Sequence, residues 1–297
     1  MTPAEHGWLP RTSCTESCVQ SGIGESGHRV LATMRSARRI AATLILLMGV
    51  PALAIPMPGH RRLKRTYCRA VLRSLGVRMT VSGGPIRNLR GQLVVSNHVS
   101  WVDVFAIGAV MPGSFVARAD LITWPALGIA ARMAGVIPIE RRSLRTLPGV
   151  VSTVVQRIGD GHTVVAFPEG TTFCGRDNGT FRPAMFQAAI DANRPVQPVR
   201  VSYRHRDGTP STVTAFFGEH SLWESVRRTV RARRTVVHID VRPLELPSRD
   251  RGEFAARCQL SVFGHSAAAG HGAAAGHSAG PTLSPGEQLR YSSNVPG

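Results

Sequence analysis

Gln92-Leu93-Val94-Val95-Ser96-Asn97-His98-Val99-Ser100-Trp101-Val102-Asp103 sets the pattern of the chain. Leu93-Val94-Val95 has the length and β-branched character of a strand buried on both faces. Ser96-Asn97-His98 reads as the turn leaving it, and Ser100 as the N-cap of a helix that runs through Val110 and stops at Pro112. A strand passing into a helix through so short a link is half of a parallel crossover unit. This puts His98 on the rim of a sheet and Asp103 about a turn inside the helix, within reach of an imidazole nitrogen. A general base with its orienting acid is one reading of that pair; a histidine and an aspartate that serve only the fold is the other.

The alternation continues on both sides. Strands are expected at Val77–Val81, Gln92–Val95, Ser114–Ala117, Gly135–Ile139, Thr163–Phe167, Val196–Ser202, Val213–Phe217 and Thr235–Val241, and helices at 101–110, 123–134, 146–159, 183–192 and 221–232. Short links between them predict an α/β fold, a single domain with a mostly parallel central sheet flanked by helices. Pro195 and Pro198 break one strand, which is therefore expected at a sheet edge or bent.

Charge is distributed unevenly. The chain has 36 Lys+Arg against 18 Asp+Glu, a formal charge of +18, and Lys64 is its only lysine. No Asp or Glu occurs between Ser26 and Val102, where thirteen basic residues stand. An anionic partner is implied: nucleic acid, an anionic membrane leaflet or a phosphorylated substrate. Nucleic acid is disfavoured, because no reading motif and no aromatics interleaved with the basic residues occur. Ile40 to Met57 is uncharged, interrupted by Pro51 and Pro56, and flanked by arginines on both sides, which suits a kinked segment dipping into one leaflet, with a full span as the alternative. Leu63, Tyr67, Val71 and Leu75 then recur every four residues among arginines, a basic amphipathic helix whose stripe could face headgroups or the core.

The domain reading is accordingly 1–33 a disordered leader, 34–76 a membrane-associated apolar segment with the basic amphipathic helix, 77–247 the catalytic domain, and 248–297 a disordered low-complexity tail carrying His265, His271 and His277 at period six. Cys14, Cys18, Cys68, Cys174 and Cys258 are odd in number and scattered; they read as reduced thiols in a cytoplasmic setting, and no zinc spacing is visible.

Three further segments are expected at the same sheet edge as His98, where α/β folds bind ligands. Gly135-Val136-Ile137-Pro138-Ile139-Glu140-Arg141-Arg142 is a strand delivering two guanidinium groups suited to phosphate. Phe167-Pro168-Glu169-Gly170-Thr171-Thr172 is a tight turn exposing a carboxylate, backbone N–H groups and two hydroxyls. Pro195-Val196-Gln197-Pro198-Val199 is the proline-broken strand.

In this order and spacing, over about residues 60–245, the set resembles the lysophosphatidic acid acyltransferase family, the 1-acylglycerol-3-phosphate acyltransferases with a His-x4-Asp motif. Asn97–Asp103, Gly135–Arg141, Phe167–Gly170 and Val196–Val199 stand for its four motifs, and Phe181-Arg182-Pro183-Ala184 for a segment that is usually Phe-Lys-x-Gly. The resemblance implies transfer of a fatty acyl group from an acyl-CoA or acyl carrier protein thioester to the free hydroxyl of 1-acylglycerol 3-phosphate, giving phosphatidic acid. Another lysolipid, including a lyso-amino-acid lipid, is the alternative acceptor. His98 would be the general base and Asp103 its orienting acid. Arg141 would grip the acceptor phosphate, with Arg142 a second candidate, and Glu169, Gly170, Thr171 and Arg182 would shape the acceptor site. Glu169 would do so through a glycerol hydroxyl or by holding an arginine, unless it is a structural turn carboxylate. No metal or cofactor beyond the thioester co-substrate is implied, and the enzyme would work at the cytoplasmic face of a membrane with an anionic surface. Thr172 stands where many members have arginine, which leaves the acceptor less defined than the reaction.

Overall fold

The computed structural model describes residues 10–19, 29–54, 58–84, 89–122, 128, 131–132, 134–140, 143–216 and 221–264. A seven-stranded sheet holds β1 (Val77–Gly83), β2 (Gln92–Ser96), β3 (Ser114–Arg118), β4 (Ile137–Ile139), β5 (Thr163–Ala166), β6 (Val196–Arg204) and β7 (Thr235–Val241), in the order β1-β7-β6-β2-β5-β3-β4. Neighbours from β6 to β4 are parallel; β7 joins β6 antiparallel, and β1 is parallel to β7. The helices are α1 (Arg29–Met48), α2 (His60–Ser74), α3 (Val102–Gly108), α4 (Leu147–Gly159), α5 (Ala184–Asp191), α6 (Leu222–Arg231) and α7 (Arg251–Phe263).

The apolar run Leu93–Val95 decides the layering, because successive side chains of a strand face opposite ways. Leu93 and Val95 enter a core formed with Val154 and Ile158 of α4, Phe186 of α5 and Phe254 and Cys258 of α7. Val94 enters the other, with Leu72 of α2, Val102 and Ile107 of α3 and Val230 of α6. A strand covered on both faces has no room for polar alternation, and all of β2 is buried.

Four expectations change. The proline-broken strand is central, because β6 lies between β2 and β7. Leu93 N–H donates to Pro195 O, while Val196 pairs with Glu245 and Arg242 N–H donates to Pro198 O, so Pro198 turns its donorless nitrogen away from β2 toward residues 241–245. There the β6–β7 ladder is irregular, and no N–H is missed. Residues 213–216 of the expected strand Val213–Phe217 are irregular, while Phe217 lies outside the described residues. A Thr212–Ala215 turn breaks the run, and its carbonyls bond to α6, from Ser225 Oγ to Thr214 O (3.2 Å) and from Arg228 Nη2 to Ala215 O (2.6 Å). Residues 251–263, expected in the disordered tail, are helix α7. Asp250 caps it through Glu253 N–H (2.8 Å), and Phe254, Cys258 and Val262, four apart, bury one stripe. Within the leader, residues 10–19 pack against the domain and bury Cys14. The helix expected at 123–134 lies largely outside the described residues.

α1 carries the first part of the apolar run and is tied down by polar contacts. The Arg39 guanidinium donates to the carbonyls of Val230, Ala232 and Arg233 at the C-terminal end of α6, at 2.8, 2.6 and 3.1 Å. Tyr67 Oη of α2 donates to Leu46 O at 3.0 Å. Val71 and Leu75 of the amphipathic stripe, with neighbouring Leu72, are buried in the core. Leu44, Ile45, Leu47 and Met48 of α1 remain exposed. Among the described residues no helix is long and apolar enough to cross a membrane.

Candidate active site

β2 and β5 are adjacent and parallel, so the residues leaving them emerge side by side. Asn97 follows β2 and extends its ladder with a side chain: Nδ2 donates to Val201 O (2.9 Å) and Oδ1 accepts from Val201 N–H (2.8 Å). The chain turns there, and His98 stands at the sheet edge with its side chain 15% exposed. Phe167, leaving β5, stacks on the imidazole with ring centroids 3.9 Å apart and planes 14° from parallel.

Asp103, in the first turn of α3, is fully buried and fully engaged. Its Oδ2 lies 2.9 Å from His98 Nδ1 and accepts the backbone N–H groups of Val99 (2.7 Å) and Ser100 (2.9 Å). Its Oδ1 accepts from Tyr203 Oη at 2.5 Å. Burial, followed by the Asp103 charge, pushes the Tyr203 phenol well above its usual range, so it stays a donor. With Nδ1 committed to the carboxylate, Nε2 is left as the proton acceptor. The expected N-cap is modified: Ser100 Oγ accepts Val102 N–H (3.2 Å), while the Asp103 carboxylate satisfies the N–H groups of the turn itself.

Glu169 is 3% exposed, and both its oxygens are taken by backbone donors: Oε2 by His98 N–H (2.6 Å) and Oε1 by Gly179 N–H (2.8 Å). Burial pushes its pKa up to about 8 against the pull of those two bonds. The carboxyl group thus clamps the main chain of His98 to the loop after β5. The turn closes with Gly170 N–H to Phe167 O (3.1 Å), and Phe173 N–H returns to His98 O (2.9 Å). Gly170 has φ +73°, and a Cβ there would lie 3.0 Å from Pro10 Cγ, so conformation and space both favour glycine.

Of the other expected site residues, Thr171 is half-buried on this turn. Arg182 is brought beside it, its N–H donating to Pro168 O (2.9 Å), with its Cδ 3.6 Å from where a Gly170 Cβ would stand. Arg141 and Arg142 follow β4 in sequence and lie outside the described residues. Trp101 joins α3 to α6, its Nε1 donating to Ser225 Oγ at 3.2 Å. The sequence reading missed Tyr203, which is a hundred positions from its partner and carries no local signal. It also missed that the Cys14 and Cys18 thiols lie beside Cys174.

An imidazole held by a buried carboxylate at the sheet edge is able to accept a proton from a hydroxyl. The acyltransferase family profile matches residues 78–202. A lyso-ornithine lipid O-acyltransferase of Pseudomonas aeruginosa is 33% identical over 248 residues, covering 80% of this chain and 93% of the relative. A 1-acyl-sn-glycerol-3-phosphate acyltransferase of Neisseria meningitidis is 33% identical over 172 residues, 58% of this chain and 67% of the relative. In fold, the crystal structure of the 1-acyl-sn-glycerophosphate acyltransferase PlsC from Thermotoga maritima matches with a TM-score of 0.56 at 17% identity, over 79% of this chain and 95% of that one. The chain belongs to the lysolipid acyltransferase family, and it is an acyltransferase.

Proposed function

We propose that the chain acylates the free hydroxyl of a lysolipid directly from a thioester, with His98 as general base. The observation that carries this reading is the 2.9 Å bond between His98 Nδ1 and a fully buried Asp103. The acceptor hydroxyl gives its proton to His98 Nε2 as its oxygen adds to the thioester carbonyl, and Asp103 stabilises the imidazolium. The tetrahedral adduct collapses, the C–S bond breaks, and the imidazolium returns its proton to the departing thiolate of coenzyme A or acyl carrier protein. The reaction balances without a cofactor and needs no nucleophile from the chain.

A lyso-ornithine lipid is the acceptor favoured here. The relative of that name aligns over 93% of its own length, and Thr172 stands where an arginine would add a phosphate ligand. An amino-acid headgroup presents one carboxylate, which asks for fewer guanidinium groups than a phosphate monoester. The second reading, 1-acylglycerol 3-phosphate, is favoured by the Neisseria relative and by Arg141 and Arg142 after β4. Exposed Leu44, Ile45, Leu47 and Met48 on α1, with Trp223 64% exposed on neighbouring α6, support seating on the anionic cytoplasmic surface of a bilayer by insertion into one leaflet.

The test is thiol release by purified protein in detergent with acyl-CoA or acyl carrier protein and a panel of lysolipids with and without phosphate. Turnover with lyso-ornithine lipid that exceeds turnover with lysophosphatidic acid, and vanishes in His98→Ala, is expected. The reverse preference assigns the phosphate acceptor, and undiminished turnover in His98→Ala refutes the mechanism.

A further inference from the structure

Two segments remote in sequence bring three thiols together. Cys14 and Cys18 are joined by a single 3-10 turn, Glu16–Cys18, in which Cys18 N–H donates to Thr15 O at 2.9 Å. Cys174 comes from the loop that follows the Phe167–Gly170 turn. The three sulfurs lie within 4.8 Å of one another; Cys14 and Cys174 are buried and Cys18 is partly exposed. Cys174 N–H donates to Cys14 Sγ at 3.1 Å, so one sulfur already receives a second-sphere donor. The leader is held on either side of this point, by Ser13 Oγ bonding the Asp177 carboxylate and by Pro10 against Gly170.

We propose that Cys14, Cys18 and Cys174 form a thiolate site for a soft divalent cation of the zinc class, which fastens the leader onto the loop carrying Glu169 and Gly170. Zinc binds cysteine sulfur at about 2.3 Å in a tetrahedron, which sets sulfurs about 3.8 Å apart. The cluster reaches that spacing by contracting about 1 Å or less, with the partly exposed Cys18 side leaving the fourth position to water. Ordinary thiol packing is the competing explanation. Residues 10–19, Pro-Arg-Thr-Ser-Cys-Thr-Glu-Ser-Cys-Val, bring one aliphatic side chain besides proline, so apolar burial alone is a weak reason for them to dock. A cation there would act on the main chain of His98 through the loop whose Glu169 and Phe173 bond it.

The test uses the full chain in detergent under reducing conditions, with His265, His271 and His277 changed to alanine so that the tail binds no metal. After zinc loading and dialysis, about one zinc per chain is expected. It is retained in Cys68→Ser and Cys258→Ser and lost in the Cys14→Ser/Cys18→Ser double variant. Cobalt loading should give sulfur-to-metal charge-transfer bands, a readout that needs no cysteine variant and no activity. Limited proteolysis should cut the leader faster in Cys14→Ser/Cys18→Ser than in the zinc-loaded chain. Substoichiometric zinc, cobalt spectra without sulfur bands, unchanged zinc in the double variant, or peptide mapping that finds Cys14 joined to Cys174 as a disulfide overturns the site.

Discussion

Asp103→Asn separates the two jobs of the Asp103 carboxylate, and the geometry says how far each should fail. Among the described residues three donors converge on Oδ2, from His98, Val99 and Ser100, whereas Tyr203 alone meets Oδ1. Asparagine must therefore place its carbonyl at the Oδ2 position and its amide group toward Tyr203, whose hydroxyl can turn to accept. The turn keeps its hydrogen bonds and His98 keeps its tautomer, so the fold should lose only about 1–2 kcal/mol. What disappears is the negative charge beside an imidazolium that exists only during the reaction. Two unit charges about 4 Å apart at an effective dielectric of about 20 attract by about 4 kcal/mol, and the amide dipole returns part of that. A fall in kcat of roughly 10²–10³ at near-constant KM is expected. The assay is thiol release at saturating thioester, run on wild type, Asp103→Asn, His98→Ala and the double variant. In the proposed mechanism Asp103 acts through His98, so the double variant should be no slower than His98→Ala. An Asp103→Asn enzyme within about twofold of wild type, or a double variant far below His98→Ala, would show that the Asp103 charge does not act on the His98 imidazolium.

Tyr203→Phe leaves Oδ1 of Asp103 buried with no donor, so stability should fall by about 1.5–3 kcal/mol in a urea titration and kcat should drop while KM holds; an unchanged urea midpoint would remove Tyr203 from the network. Glu169 has its pKa raised by burial to about 8, so the folded chain keeps a proton that the unfolded chain loses near pH 4.5. That contribution is complete below pH 4.5 and is lost as pH rises through about 8, an effect on the order of a few kcal/mol. Glu169→Gln should abolish this slope in urea midpoints taken across that range, and should also leave one backbone N–H facing an amide donor, lowering stability by about 1–3 kcal/mol at low pH. A slope identical to that of wild type would show that Glu169 does not titrate there. Ile45→Asp/Met48→Asp should weaken flotation with anionic vesicles while detergent activity persists; unchanged flotation would count against α1 as the seating face.

The layered core was legible because a strand covered on both faces must be apolar at every position, as Leu93–Val95 is. The tail helix was not, since Phe254, Cys258 and Val262 are three apolar positions beside a long repetitive stretch, too short a stripe to stand out. The strand expected at Val213–Phe217 failed for the opposite reason: β-branched residues buried by α6 look in sequence like residues buried by a neighbouring strand. His98 and Asp103 could be paired from spacing alone. Glu169 could be placed at the same sheet edge from the turn that follows an expected strand, but its clamp on His98 N–H required both sheet strands in place.

What the sequence alone determined is whatever short-range geometry controls. The run into a turn into a helix sets where His98 and Asp103 stand relative to each other, because five residues of backbone leave few ways to arrange them. The tertiary structure decided what surrounds that pair: Tyr203 on Oδ1, Phe167 on the imidazole, Asn97 on Val201, and Cys14 and Cys18 against Cys174. Those contacts follow from β2 lying between β5 and β6, with the leader docked on the loop after β5. Strand order is settled by the packing of the whole chain, and no local period encodes it.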